Sequence, residues 1–260
     1  FSMSVMTDLM SSKRVMFLSI AIQSVSILGL FFVSDVWTYY LVAAILLVIT
    51  KQTRPNRRQF YQLIAVALGV VIGFPILSAW AMQTVPASHG GVVLGVLPLA
   101  TAVAAAVVSN EKPSIGFWIC GLAGSIVVIL YALPQGLGSF QIGDFLLIGA
   151  IASTAIGYAL GGKLSKEIGG WQVICWALVI SFPFIVIPAW LKAPQADFDN
   201  LPLSVLLSFL YLALVSQLFG FFLWNKGLAL GGISRVSQTQ LLQPFVTLVA
   251  SAYLINETVN

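Results

Sequence analysis

Ser237, Gln240, Pro244, Thr247 and Ser251 recur at steps of three, four, three and four residues inside an otherwise apolar stretch. On a helix that spacing puts all five on one face. Hydroxyls and a carboxamide with no base beside them cannot act as nucleophiles. They can form hydrogen bonds, either to a neighbouring helix or to a ligand in a wet cavity. Pro244 strengthens the second reading, because it lacks an N–H and leaves the carbonyl of Gln240 without its helical partner. The positions 146 residues earlier are Gly91, Leu94, Pro98, Thr101 and Ala105. The pattern therefore predicts a cavity flanked by two prolines and lined by Pro98, Thr101, Gln240, Pro244 and Thr247. The alternative is that small and hydroxylated residues merely let helices approach closely.

Other candidates are fewer and weaker. Ser19, Gln23 and Ser26 form a shorter stripe, with Gln23 as its cavity candidate, and Ser153 or Thr154 is followed by Gly157, Tyr158 and Gly161. Trp80 and Trp224 occupy corresponding places near the ends of two apolar runs, where either a substrate or the lipid interface would suit an indole. Trp37, Trp171 and Trp190 read as interface belt residues. His89 is the only histidine. It stands at the mouth of an apolar run, where it could titrate near physiological pH or simply cap a helix start. Pairs of glycines at GxxxG spacing, Gly69-Gly73, Gly91-Gly95, Gly157-Gly161 and Gly227-Gly231, read as close helix contacts. A lone histidine with two separated cysteines, Cys120 and Cys175, offers no metal site. No cofactor is expected.

The elements that hold these residues follow from composition. The chain is 59% hydrophobic and 8% charged, with a mean hydropathy of +1.01, whereas soluble domains carry about 25% charged residues. Its apolar runs are continuous and each close to the ~20 residues a spanning helix needs, which excludes an alternating β-barrel. The expected fold is an all-α polytopic membrane protein with spans near 15–33, 36–50, 60–83, 88–109, 114–133, 143–162, 171–191, 203–225 and 235–255. Lys13-Arg14 before the first run reads as the flank of an uncleaved span. With Lys13 and Arg14 on the cytoplasmic side, every other lysine and arginine except Lys192 falls on that side too. The net charge of +4 then reports topology, and no nucleic-acid partner is needed.

The motif PLATAVAAAVVSNEK, 98–112, returns as PFVTLVASAYLINET, 244–258, at the constant offset of 146. A repeat of that length is half a chain. The halves are 1–134 and 135–260, and five spans per half would set the second copy upside down relative to the first. A tenth helix is expected beyond Asn260. Inverted halves are the architecture of secondary transporters, with the substrate at their interface and alternating access between two equivalent states. Every Asp and Glu maps to a loop or a span end, so no carboxylate is expected at mid-depth to carry a proton. Glu111 and Glu257 recur just before the next helix, whose N-terminus each would stabilise.

With VPASHGGVVLGVLPLATAVAAAVVSNEKPS at 85–114 and LWNKGLALGGISRVSQTQLLQPFVTLVASAYLINET at 223–258, the chain resembles the two EamA repeats of the drug/metabolite transporter superfamily over essentially its whole length. The resemblance implies a ten-helix permease of the bacterial inner membrane, usually exporting amino acids or related metabolites. YddG-type exporters of aromatic amino acids belong to it. The expected partners are a small-molecule substrate and the bilayer, with monomer and homodimer both open. An intramembrane enzyme would need a nucleophile with a base, or a metal cluster, at membrane depth, and the residues above supply neither.

Overall fold

The computed structural model describes residues 36–85, 93–132, 142–192 and 211–242, with the single positions Gly90 and Leu207. Apart from turns these residues are helical. Eight rods follow one another: α1 (Val36–Ile49), α2 (Arg57–Ala81), α3 (Leu97–Val108), α4 (Ile115–Ala132), α5 (Ile142–Ile168), α6 (Gly170–Lys192), α7 (residues 211–231) and α8 (residues 233–242). The expected spans at 36–50, 60–83, 114–133, 143–162 and 171–191 each coincide with one rod. The first expected span, 15–33, lies outside the described residues. So do parts of the fourth, eighth and ninth.

Three rods, Arg57–Ala81, Ile142–Ile168 and Gly170–Ile187, are long and apolar enough to cross a bilayer unaided. α5 outruns its expected end by six residues and keeps Lys163, Lys166 and Glu167 helical. Its continuation costs little, because that turn lies where charged side chains reach water. Only Gly169 separates α5 from α6. Its φ of +94° reverses the chain where a residue with a Cβ would be strained.

α5 is the hub of the bundle and packs against α2, α3, α6, α7 and α8. The fit to α2 depends on missing side chains. A Cβ on Gly69 would run into the backbone carbonyl of Ser153, and one on Gly157 would stand 2.6 Å from Val70 Cγ2. Apolar surfaces give no hydrophobic driving force between helices in lipid, so such close backbone approach is the main source of adhesion. Elsewhere α1 packs on α6, and α3 on α8. The pairs α2 with α6 and α1 with α7 also touch. Each of these pairings joins a rod from one half to a rod from the other, so the halves interleave. They do not stand side by side.

Regular geometry breaks in a few places. Residues Ala67–Gly73 of α2 and Tyr211–Phe219 of α7 are π-helical. Two turn residues, Gly95 and Val96, precede α3. α8 changes from α-helical at Ile233–Ser237 to 3₁₀ at Gln238–Leu242. Backbone of this kind is tolerated at membrane depth only where protein or a polar cavity satisfies it.

Candidate functional site

One buried cluster gathers residues from α2, α3, α5, α7 and α8. Tyr158 and Ala159 of α5, Trp224 and Leu228 of α7, Ile233 and Val236 of α8 and Ala105 of α3 form a buried core. Val70 of the α2 π-turn, Leu97 at the start of α3 and Phe221 pack against it. Tyr158 stands edge-on to Trp224 with ring centroids 5.5 Å apart, and 6.3 Å from Phe221. An aromatic wall therefore sits on α5 five residues before Lys163, in the half of the rod nearer its charged end.

Polar groups in and around this wall are incompletely paired. Trp224 is 1% exposed, yet its Nε1–H has no acceptor, and Thr154 Oγ1, Gln238 Oε1 and Gln240 Oε1 are buried without a partner. The Gln240 amide adjoins the Tyr158 hydroxyl, although its Oε1 makes no hydrogen bond of ordinary geometry. A buried polar group left unsatisfied costs about 1–3 kcal/mol. Several such groups around one aromatic wall fit a site made for a polar ligand, with one donor and several acceptors on offer.

α3 brings its N-terminus to the same place. Pro98 occupies the first turn of α3, where its missing N–H is harmless and its fixed φ favours helix entry. The Pro98 carbonyl accepts hydrogen bonds from Gln238 Nε2 at 2.9 Å and Ser237 Oγ at 3.3 Å. The proline thus joins the halves through its own carbonyl. Thr101 is wholly buried, but its hydroxyl donates to Leu97 O at 2.9 Å within α3. It has one partner already, within its own helix.

The positions anticipated from sequence are divided by the structure. Pro98, Thr101, Tyr158, Trp224 and Gln240 gather around the α3–α5–α7–α8 junction. Trp80 does not: it is 57% exposed on the last turn of α2, outside the Trp224 cluster, so the correspondence of the two tryptophans ends at the sequence. Gln23, His89, Pro244 and Thr247 lie outside the described residues. Of the stripe predicted along 237–251, Ser237 and Gln240 lie within the described residues. Ser237, the last α-helical residue, and Gln238, the first in 3₁₀ geometry, both bond the Pro98 carbonyl, while Gln240 adjoins Tyr158. Gln238 was missed because the stripe's spacing of three and four residues passes it by. Asn225, buried beside Trp224, was missed too. An amide next to a tryptophan inside an apolar run was the available signal.

Two carboxylates need correction or refinement. Glu111 was expected to serve the helix that follows it. It instead accepts from Ile233 N and Ser234 N, 2.8 Å each, at the start of α8. The reason is that α8 begins with Gly232, at φ +85°, and has no side-chain cap of its own, so its free N–H groups need an acceptor from elsewhere. Burial raises the Glu111 carboxyl, but bonds from Ser234 and Ile233 and the nearby Lys166 outweigh it, holding the group below the usual 4.5. Asp144 keeps its expected place at a span end, in the first turn of α5, but is only 3% exposed.

A separate polar cleft of about 210 Å³ lies at the lysine- and arginine-rich end, between the α1–α2 turn and the α5–α6 junction. Gln52, Arg54, Glu167 and Gln172 are among its lining. It lies away from the aromatic wall. Among the described residues no group of three or more His, Cys, Asp or Glu is arranged to hold a metal ion.

Comparison with known proteins agrees with this architecture. The model of the EamA-like transporter family matches twice, over residues 5–133 and 141–260. The uncharacterized transporter YdeK of Bacillus subtilis is 44% identical over 82% of this chain and 74% of its own length. A probable terminal-alkyne amino-acid exporter of Streptantibioticus cattleyicolor is 22% identical over 78% of this chain and 68% of its own. A probable amino-acid metabolite efflux pump of Salmonella typhimurium is 28% identical over 54% of this chain and 50% of its own. One crystal structure superposes with a TM-score of 0.70 over 96% of this chain and 90% of that one, at 14% identity, a likeness of fold alone. Two family matches that together span nearly the whole sequence, on an all-helical bundle with membrane-crossing rods, establish that the chain belongs to the EamA-like transporter family of the drug/metabolite transporter superfamily and is an integral membrane transporter.

Proposed function

We propose that the protein carries small zwitterionic or neutral amphipathic metabolites, amino acids with aromatic side chains among them, by alternating access between two inverted repeats. The observation that carries the reading is the aromatic wall of Tyr158, Trp224 and Phe221 with the unpartnered Trp224 Nε1 and Gln240 Oε1 beside it. An aromatic side chain would stack on the wall. A ligand carboxylate would find a donor in Trp224 and the helix start at Leu97, and an ammonium group would find an acceptor in Gln240. The wall residues carry no charge and Glu111 and Lys163 at the cluster's edge are both engaged by backbone, so a ligand of large net charge would be poorly compensated there. Two relatives named as amino-acid or amino-acid-metabolite exporters lend support at a distance. On this reading the Lys163 face is cytoplasmic and the membrane is the bacterial inner membrane.

The test is uptake of a panel of labelled amino acids into proteoliposomes, with and without an imposed pH gradient. Saturable uptake of aromatic amino acids supports the reading. Lack of uptake of every amino acid would move the substrate to another class.

A second reading, exchange of drugs or other metabolites against protons, is favoured by buried Asp144. Asp144→Asn distinguishes the two. If transport by the wild type responds to a pH gradient and the variant does not, a carboxylate couples protons; if neither responds, passage is gradient-driven.

A further inference from the structure

The Glu111 carboxylate ties the α3–α4 turn of the first half to the start of α8 in the second, across 122 and 123 residues of sequence. It does not stand alone. Lys163 Nζ donates to the carbonyl of Val108, the last residue of α3, at 2.8 Å. Ser109 Oγ meets the Ala159 carbonyl at 3.5 Å. A carboxylate on a helix N-terminus and an ammonium on a helix C-terminus are each the sign that the peptide dipoles favour. Together they close one end of the α3–α5–α8 junction, on the face that also carries Lys112, Lys166 and Arg235.

The position of α8 matters to the site. Within three turns of its Glu111-bound start, α8 supplies Ser237 and Gln238 to the Pro98 carbonyl and Gln240 to Tyr158. Gly232, whose φ of +85° suits few other residues, leads the chain into this start. Its own cap is missing, so Glu111 alone among the described side chains holds the two N–H groups.

We propose that Glu111 is a latch. Bound to the start of α8, it holds the route from the Lys163 face to the aromatic site shut, and the transport cycle requires it to let go and rebind. Glu111 touches no substrate, so it is a positioning residue acting through α8. The proposal rests on the aromatic cluster being the transport site.

The experiment places a reporter thiol at the site, Thr154→Cys, in full-length protein with Cys120→Ser and Cys175→Ala. Sealed vesicles of each orientation are treated with a membrane-impermeant maleimide. The rate is compared for Glu111 and for the Glu111→Ala, Glu111→Gln and Glu111→Asp variants. The latch predicts that Glu111→Ala raises the ratio of labelling from the Lys163 face to labelling from the opposite face, on the order of tenfold for loss of two charge-assisted bonds. Glu111→Asp should restore the ratio further than Glu111→Gln. A variant that merely loosens the fold would raise labelling from both faces alike. That result, or an unchanged ratio, would overturn the latch. Protection of the reporter by excess phenylalanine reads the site separately: no protection by phenylalanine counts against the amino-acid site, whatever the ratio does.

Discussion

Trp224 illustrates what a single residue can be asked to do. Its ring is core and its N–H is unpaired, so the two roles separate by substitution. Trp224→Ala would leave a large void and lower stability by about 3–5 kcal/mol. Trp224→Phe keeps most of the wall and removes the orphan donor, so thermal unfolding should show a far smaller loss than for Trp224→Ala. A loss as large from Trp224→Phe would mean that the N–H has a structural partner. Glu111 gives a prediction in pH. Its carboxyl is held below the usual 4.5 in the folded protein, so its stabilising effect is fully present above that value and is lost as pH falls through the folded-state value. The stability difference between wild type and Glu111→Gln should therefore be constant from neutral pH to about 5 and shrink as the medium becomes more acidic. A difference that grew on acidification would contradict the assigned hydrogen bonds.

At the scale of elements, the glycine contacts and the irregular turns behave differently from what spacing alone suggests. The GxxxG pairs were legible as packing sites, but not which of them matters most. Gly69 faces a backbone carbonyl of α5, which cannot move aside, whereas a Cβ on Gly227 would sit 3.8 Å from Val236 Cγ1, an ordinary contact. Gly69→Ala should thus destabilise by about 1–3 kcal/mol through overpacking. Gly227→Ala should be neutral or stabilising by about 0.5–1 kcal/mol, because alanine is the better helix former. Melting temperatures of the two variants in the same detergent decide the matter; equal shifts would refute the α2–α5 contact. The apolar runs gave most rods within a few residues, since length and hydropathy dominate insertion. The π segments and the 3₁₀ end of α8 were not legible. They arise from how neighbours pack, which a hydrophobic pattern does not encode.

For the whole molecule, the repeat was the most informative feature of the sequence, and it led to the family because the paired motifs are long and specific. The site was legible only in part. Tyr158, Trp224 and Gln240 were reached from polarity and spacing, while Trp80 was placed by analogy with Trp224 and stands elsewhere. The reach of Glu111 into the other half was hidden, because only the folded chain brings residues 111 and 233 together. The central claim is that the α3–α5–α7–α8 junction binds the transported molecule. Its most direct test is the concentration dependence of amino-acid uptake into proteoliposomes holding wild type, Trp224→Phe or Gln240→Leu. Loss of one hydrogen bond of about 1 kcal/mol corresponds to roughly fivefold weaker binding. The prediction is a KM several-fold higher in each variant at unchanged protein folding; saturation curves that superpose on wild type in both would contradict the assignment.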